Sequence, residues 1–260
     1  IFFTIKIYII YNKLDYLYLA FTYFLENLFF SSVIIYYFKK NGNNFKNLIF
    51  SKTHTINILK KIILFPLLAF AFLISMRIDV LMISSLLGVE SSGYYSANSR
   101  IITIVLLFGT HFFQFIYPNL NRINYDQKKF NEIYTGIILL SSIVGISCFM
   151  SSLIFGKYYL NLFGPEFLVG LDSLKLLSFN VGIALIINVW VHKQYLNSKY
   201  GQILFFQGCT VILNILFNYY FINLFGINGA ALATLLSAFF AFVIVNTQIT
   251  EFILYHFINN

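Results

Sequence analysis

The sequence predicts an all-α fold, a polytopic transmembrane helical bundle, and three observations carry that prediction. Hydrophobic residues fill 59% of the 260 positions and aromatics 20%, with 32 Phe and 19 Tyr, far above the apolar share of an ordinary soluble domain. The apolar residues gather into runs long enough to cross a hydrocarbon layer of about 30 Å, with a mean hydropathy of +0.80, and do not alternate as barrel strands would. The basic residues fall mainly in the segments between those runs. That placement explains the net charge of +8 as a membrane-orientation signal and argues against a nucleic-acid partner.

The first run, IFFTIKIYIIY, is too short to span, carries Lys6, and has neither the charged start nor the small-residue cleavage site of a signal peptide. It reads as the tail of a helix that begins upstream, so the chain is expected to be a piece of a longer protein. Residues 16–38 make the first full span, with Glu26 and Asn27 at its centre. Glu26 has two readings of equal weight: a proton or cation site coupled to transport, or a partnered carboxylic acid that fixes helix packing. Residues 39–61 change composition sharply and carry six lysines. They form a basic cytoplasmic linker, either laid on anionic lipid as an interfacial helix or held as a solvated tether.

From Ile62 to about Thr103 the sequence reads as a hairpin: an apolar helix, a polar turn GVESSG, and a second apolar helix. Arg77 and Asp79 lie deep in the first helix and Arg100 well inside the second. Charge at such depth is costly and calls for a partner or a function. Two residues apart on a helix means roughly 200° of rotation, so Arg77 and Asp79 cannot share a face. Counted from the turn near Glu90, Asp79 and Arg100 both fall about 15 Å deep at 1.5 Å per residue, which predicts an interhelical ion pair. Arg77 is then left as a planar, bidentate contact for an anionic ligand. A closed structural cluster of all three is the competing reading.

Further spans follow at residues 134–155, 174–192, 202–224 and 230–254, the second hairpin helix ending near Pro118. With this alternation, eleven Lys and Arg (39, 40, 46, 52, 60, 61, 122, 128, 129, 193 and 199) fall on the cytoplasmic side against two (157 and 175) on the outer side. The asymmetry fixes the expected topology as seven complete spans plus a truncated first one. In the last span Ala230, Thr234 and Ala238 form one row of small residues, and Ala233, Ser237 and Ala241 another, both expected to pack against neighbouring helices.

His111, close to Gln114, is a possible proton relay or a neutral packing histidine. Asn180, Asn188, Gln207, Asn214 and Asn218 could line a polar path, but interhelical hydrogen bonding is the simpler reading. Cys148 and Cys209 sit in apolar segments as small core residues. No metal-ligand spacing, Ser/His/Asp set or phosphate-binding glycine loop stands in the sequence, so no catalytic residue, metal or cofactor is expected and the chain does not read as an enzyme.

The stretch PLLAFAFLISMRIDVLMISSLLGVESSGYYSANSR at 66–100, together with FGINGAALAT at 225–234, resembles the polysaccharide-biosynthesis flippases of the multidrug/oligosaccharidyl-lipid/polysaccharide exporter superfamily. The resemblance implies two six-helix lobes around a central cavity. Residues 62–260 would form a MATE-like C-terminal lobe, 39–61 the connecting loop, and 1–38 the remnant of the N-terminal lobe. It also implies a multi-pass protein of the bacterial cytoplasmic membrane that moves an undecaprenyl-diphosphate-linked glycan from inner to outer leaflet by alternating access, for O-antigen or related surface polysaccharide. The implied partners are that lipid-linked glycan, a coupling ion (H+ or Na+), the lipid bilayer, and a polysaccharide polymerase with its chain-length machinery.

On this view Arg77, with Arg100 and Asp79, serves substrate binding, and Glu26 and His111 are candidates for ion coupling. A related multidrug antiporter would rely on cavity acids more than arginines. An O-antigen polymerase uses arginines in large outer loops, which this sequence lacks.

Overall fold

A computed structural model of the protein describes residues 2–12, 14–41, 51, 56, 59, 63–123 and 126–258, the side chains of Leu64 and of residues 246–258 excepted. The linker reading for 39–61 falls mostly on residues 42–50, 52–55, 57, 58, 60 and 61, which lie outside the described residues. Nearly all of the described residues are helical, and seven of the helices are long and apolar enough to cross a membrane. The chain is therefore a multi-pass membrane protein. It divides into two units, residues 1–60 and 61–260.

In the first unit α1 (Phe2–Tyr11) packs on α2 (Tyr16–Lys40). Asp15 caps α2 by accepting from the Leu17 N–H at 3.2 Å, and Lys39 and Lys40 close it at the end where the helix dipole favours positive charge.

The second unit opens with α3 (Leu64–Leu87) and α4 (Val89–Ile123). The turn expected over GVESSG is a single residue. Gly88 reverses the chain at φ 92°, and Glu90 to Gly93 already belong to the first turn of α4. Glycine suits this position because a side chain at that φ is strained. Likewise α4 does not stop near Pro118 but carries the proline inside it and runs on to Ile123. A proline deletes one backbone hydrogen bond, a loss that membrane helices accommodate when neighbours pack around it.

α5 (Gln127–Asn161) is capped by Asp126, whose carboxylate accepts from the Lys129 N–H at 3.3 Å. That bond holds the Asp126 carboxyl below the ordinary carboxylate range. A short 3-10 helix (Pro165–Gly170) leads into α6 (Leu171–Leu196), followed by α7 (Tyr200–Phe225), and Gly226 at φ 59° turns the chain into α8 (Ile227–Ile258).

Two close approaches set the packing of this unit. A Cβ on Gly145 of α5 would stand 2.2 Å from the Gly182 Cα of α6, and one on Gly229 would stand 1.9 Å from the Phe221 carbonyl oxygen of α7. Small residues at such crossings let helix backbones meet, which drives association where there is no water to expel. On α8 the row Ala233, Ser237 and Ala241 is buried as expected. Ile83, Leu174, Val181 and Ile222 fill the centre, while Phe70, Phe108, Phe115 and Phe205 point outward. An apolar exterior of this kind suits lipid contact.

Candidate functional site

The site forms where four helices place polar side chains at one depth. Asp79 of α3 is buried, and its carboxylate accepts three hydrogen bonds: from the Tyr95 hydroxyl of α4 at 2.9 Å, the Asn218 amide of α7 at 2.8 Å, and the Thr234 hydroxyl of α8 at 2.7 Å. Asn218 also donates to the Asn214 carbonyl oxygen at 2.9 Å, and Asn214 donates to Ser237 at 3.3 Å. Thr234 and Ser237 bond back to the α8 carbonyls of Ala230 and Thr234. The amide oxygen of Asn218 is buried and has no hydrogen-bond partner among the described residues.

The expected pair of Asp79 with Arg100 is not formed. The helix begins at Val89, so from Gly88 Asp79 lies nine residues back and Arg100 twelve forward, a mismatch of about 4.5 Å in depth at 1.5 Å per residue. Facing matters more. Tyr95, which does reach Asp79, is five residues from Arg100, about 140° around the helix, so one faces the core and the other leaves it. Arg77 and Arg100 are both exposed on the surface of this unit, on faces that do not meet Asp79.

Glu26 finds its partner within the first unit. Lys6 forms an ion pair with it and lies 3.6 Å from the centroid of the Tyr23 ring. Of its two readings, the pairing that fixes α1 on α2 is the one this geometry serves. His111 is exposed, shares a hydrogen bond of 3.1 Å between its Nδ1 and Gln114, and borders an apolar groove between α4 and α5.

Chemically, Asp79 is an acid at membrane depth that, among the described residues, has no basic side chain in ion-pair range. A bare buried carboxylate is costly, so such a group needs a proton or a cation as well as donors. The surroundings suit either. Hydroxyl, carboxylate and amide oxygens are the ligands that hard cations take. An asparagine side chain can turn its NH2 to an ion-free carboxylate or its oxygen to a bound ion. Among the described residues no group of three or more His, Cys, Asp and Glu is placed to hold a metal, so any ion here would rest on one acid and neutral oxygens.

Sequence reasoning placed Asp79 and read Asn214 and Asn218 as hydrogen-bonding residues, but it missed Tyr95 and Thr234. Counting from Gly88 would have put Tyr95 near the depth of Asp79, whereas the Thr234 contact joins helices far apart in the chain. No family model, curated protein or solved structure matches the chain.

Proposed function

We propose that the protein is an ion-coupled membrane transporter and that its cargo is an undecaprenyl-diphosphate-linked glycan, flipped across the bacterial cytoplasmic membrane by alternating access. Residues 62–260 serve as one six-helix lobe. The observation that carries the coupling half of this reading is Asp79, a buried acid held by hydroxyl and amide groups from three other helices. Binding or releasing a proton or Na+ there changes the charge at the junction of α3, α4, α7 and α8. It can therefore bias two packings of those helices. The coupling role thus falls to Asp79 rather than to Glu26, which is ion-paired, or His111, which is exposed. The cargo half rests on the resemblance of 66–100 and 225–234 and on Arg77, an exposed guanidinium suited to a diphosphate.

One observation also favours a multidrug cation antiporter, because a buried acid without a basic partner is the chemistry such a protein would use. Complementation separates the two readings. Expression of the full-length protein to which this chain belongs in a flippase-deficient strain should restore surface polysaccharide, Arg77→Ala should lose that restoration, and Arg77→Lys should recover it at most in part. Normal polysaccharide with both variants would rule out the diphosphate contact. Drug resistance without polysaccharide would favour the antiporter.

A further inference from the structure

Asp79 and the three residues that meet it are flanked differently on their two sides. One helical turn toward the Gly88 and Gly226 end, three of the four helices are apolar and sealed, with Ile83 following Asp79, Ile222 following Asn218 and Ala230 preceding Thr234, all at 0% exposure, while on α4 Ser91 and Ser92 precede Tyr95 and bond back to backbone carbonyls. One turn the other way, every helix presents a polar residue instead. Ser75 precedes Asp79, Ser99 follows Tyr95, Asn214 precedes Asn218, and Ser237 follows Thr234. Ser75 and Ser99 are half-buried rather than sealed.

This polar layer leads toward a cavity. Gln207, Asn214 and Asn218 stand at i, i+7 and i+11 on α7, which puts them within about 40° on one face. Gln207 borders a cavity of about 440 Å3 among α3, α4, α6 and α7, with Thr110, Gln114, Asn188 and His192 as its other polar residues. On α3 the cavity ends at Phe72, one turn short of Ser75 and on the same side of the helix. The cavity reaches His192 and Tyr195 in the last turns of α6, at the end of the unit that also carries Lys193 and Lys199. Among the described residues no Asp, Glu, Lys or Arg lines it, so a small cation would meet neither a trap nor a repelling charge there.

We infer that Asp79 exchanges its proton or Na+ with one side of the membrane, the side of the basic loops, through the 440 Å3 cavity and the Ser75–Ser99–Asn214 layer. Ile83, Ile222 and Ala230 close the opposite side. This inference rests on the reading of Asp79 as an ion site, and it adds direction: in this conformation the ion leaves or enters at the basic end.

The test is thiol accessibility in oriented membrane vesicles, with Cys148 and Cys209 replaced by Ala and Ser75→Cys or Ile83→Cys introduced one at a time. The probe is a membrane-impermeant, cationic thiosulfonate reagent applied to either face. Ser75→Cys should react about tenfold or more faster from the basic-loop side than from the other, and Ile83→Cys should stay unreactive from both. Equal reaction of Ser75→Cys from both faces, faster reaction from the opposite face, or no reaction while a cysteine at Lys199 on the basic end is labelled would each overturn the inference. If Ile83→Cys fails to fold, Ser75→Cys alone decides. Reactivity does not depend on turnover, so a protein in which Asp79→Asn transports normally, which would sink the coupling reading, can still be scored for access.

Discussion

At the scale of single residues, Asp79 is defined by its neighbours rather than by its own depth. Three donors satisfy its oxygens, and removing one leaves the rest buried and under-bonded. Tyr95→Phe combined with Asp79→Asn should show coupling of about 0.5–3 kcal/mol in a double-mutant cycle of thermal unfolding, whereas Arg100→Gln with Asp79→Asn should be additive within about 0.5 kcal/mol. The first cycle coming out additive would mean that the hydroxyl contributes nothing to the carboxylate. Asp79→Asn keeps the shape but cannot change charge. It should therefore abolish any shift in melting temperature between Na+ and a bulky organic cation, at constant pH, that the native protein shows.

The elements depend on where backbones touch. Gly145 and Gly182 bring α5 and α6 together closely enough that a methyl group has no room. Gly145→Ala should cost about 1–3 kcal/mol through overpacking. The control is Gly136→Ala on the same helix, where an added Cβ meets nothing within 4 Å; helix propensity predicts a gain of up to about 1 kcal/mol there. Melting temperatures of the two variants moving together would refute the crossing.

At the start of α5, Asp126 has a folded pKa below its unfolded value, so its contribution is present above the unfolded pKa and lost as pH falls through the folded one. Hydrogen exchange at Lys129 should therefore quicken, relative to its intrinsic rate, only at acid pH. In Asp126→Asn the protection should no longer depend on pH in that range.

At the scale of the molecule, seven apolar helices among the described residues, with Phe, Leu and Ile exposed on them, define a membrane protein, and the basic loops predict its orientation. Cysteines placed at Lys128 and Lys199 should be labelled by an impermeant reagent from the cytoplasmic side, and one at Lys157 from the outer side. The reverse pattern would invert the proposed topology and with it the side at which Asp79 exchanges its ion.

The sequence alone determined the class of fold and the approximate spans, because hydrophobic length and loop charge are local properties that the bilayer reads directly. It also singled out Asp79, since an acid at such depth stands out in any apolar run. Helix ends came out less well: the turn at GVESSG contracted to Gly88, and α4 ran through Pro118. Local signals allow several endings there, and packing selects one. The partner of Asp79 was decided only by tertiary structure. Depth along a helix can be counted from a turn, but facing depends on how α3 and α4 rotate against α7 and α8, and that rotation is set by contacts between residues as far apart in the chain as Asp79 and Thr234. For the same reason Tyr95, five residues from the expected Arg100, holds the position beside the acid, and the arginines face outward.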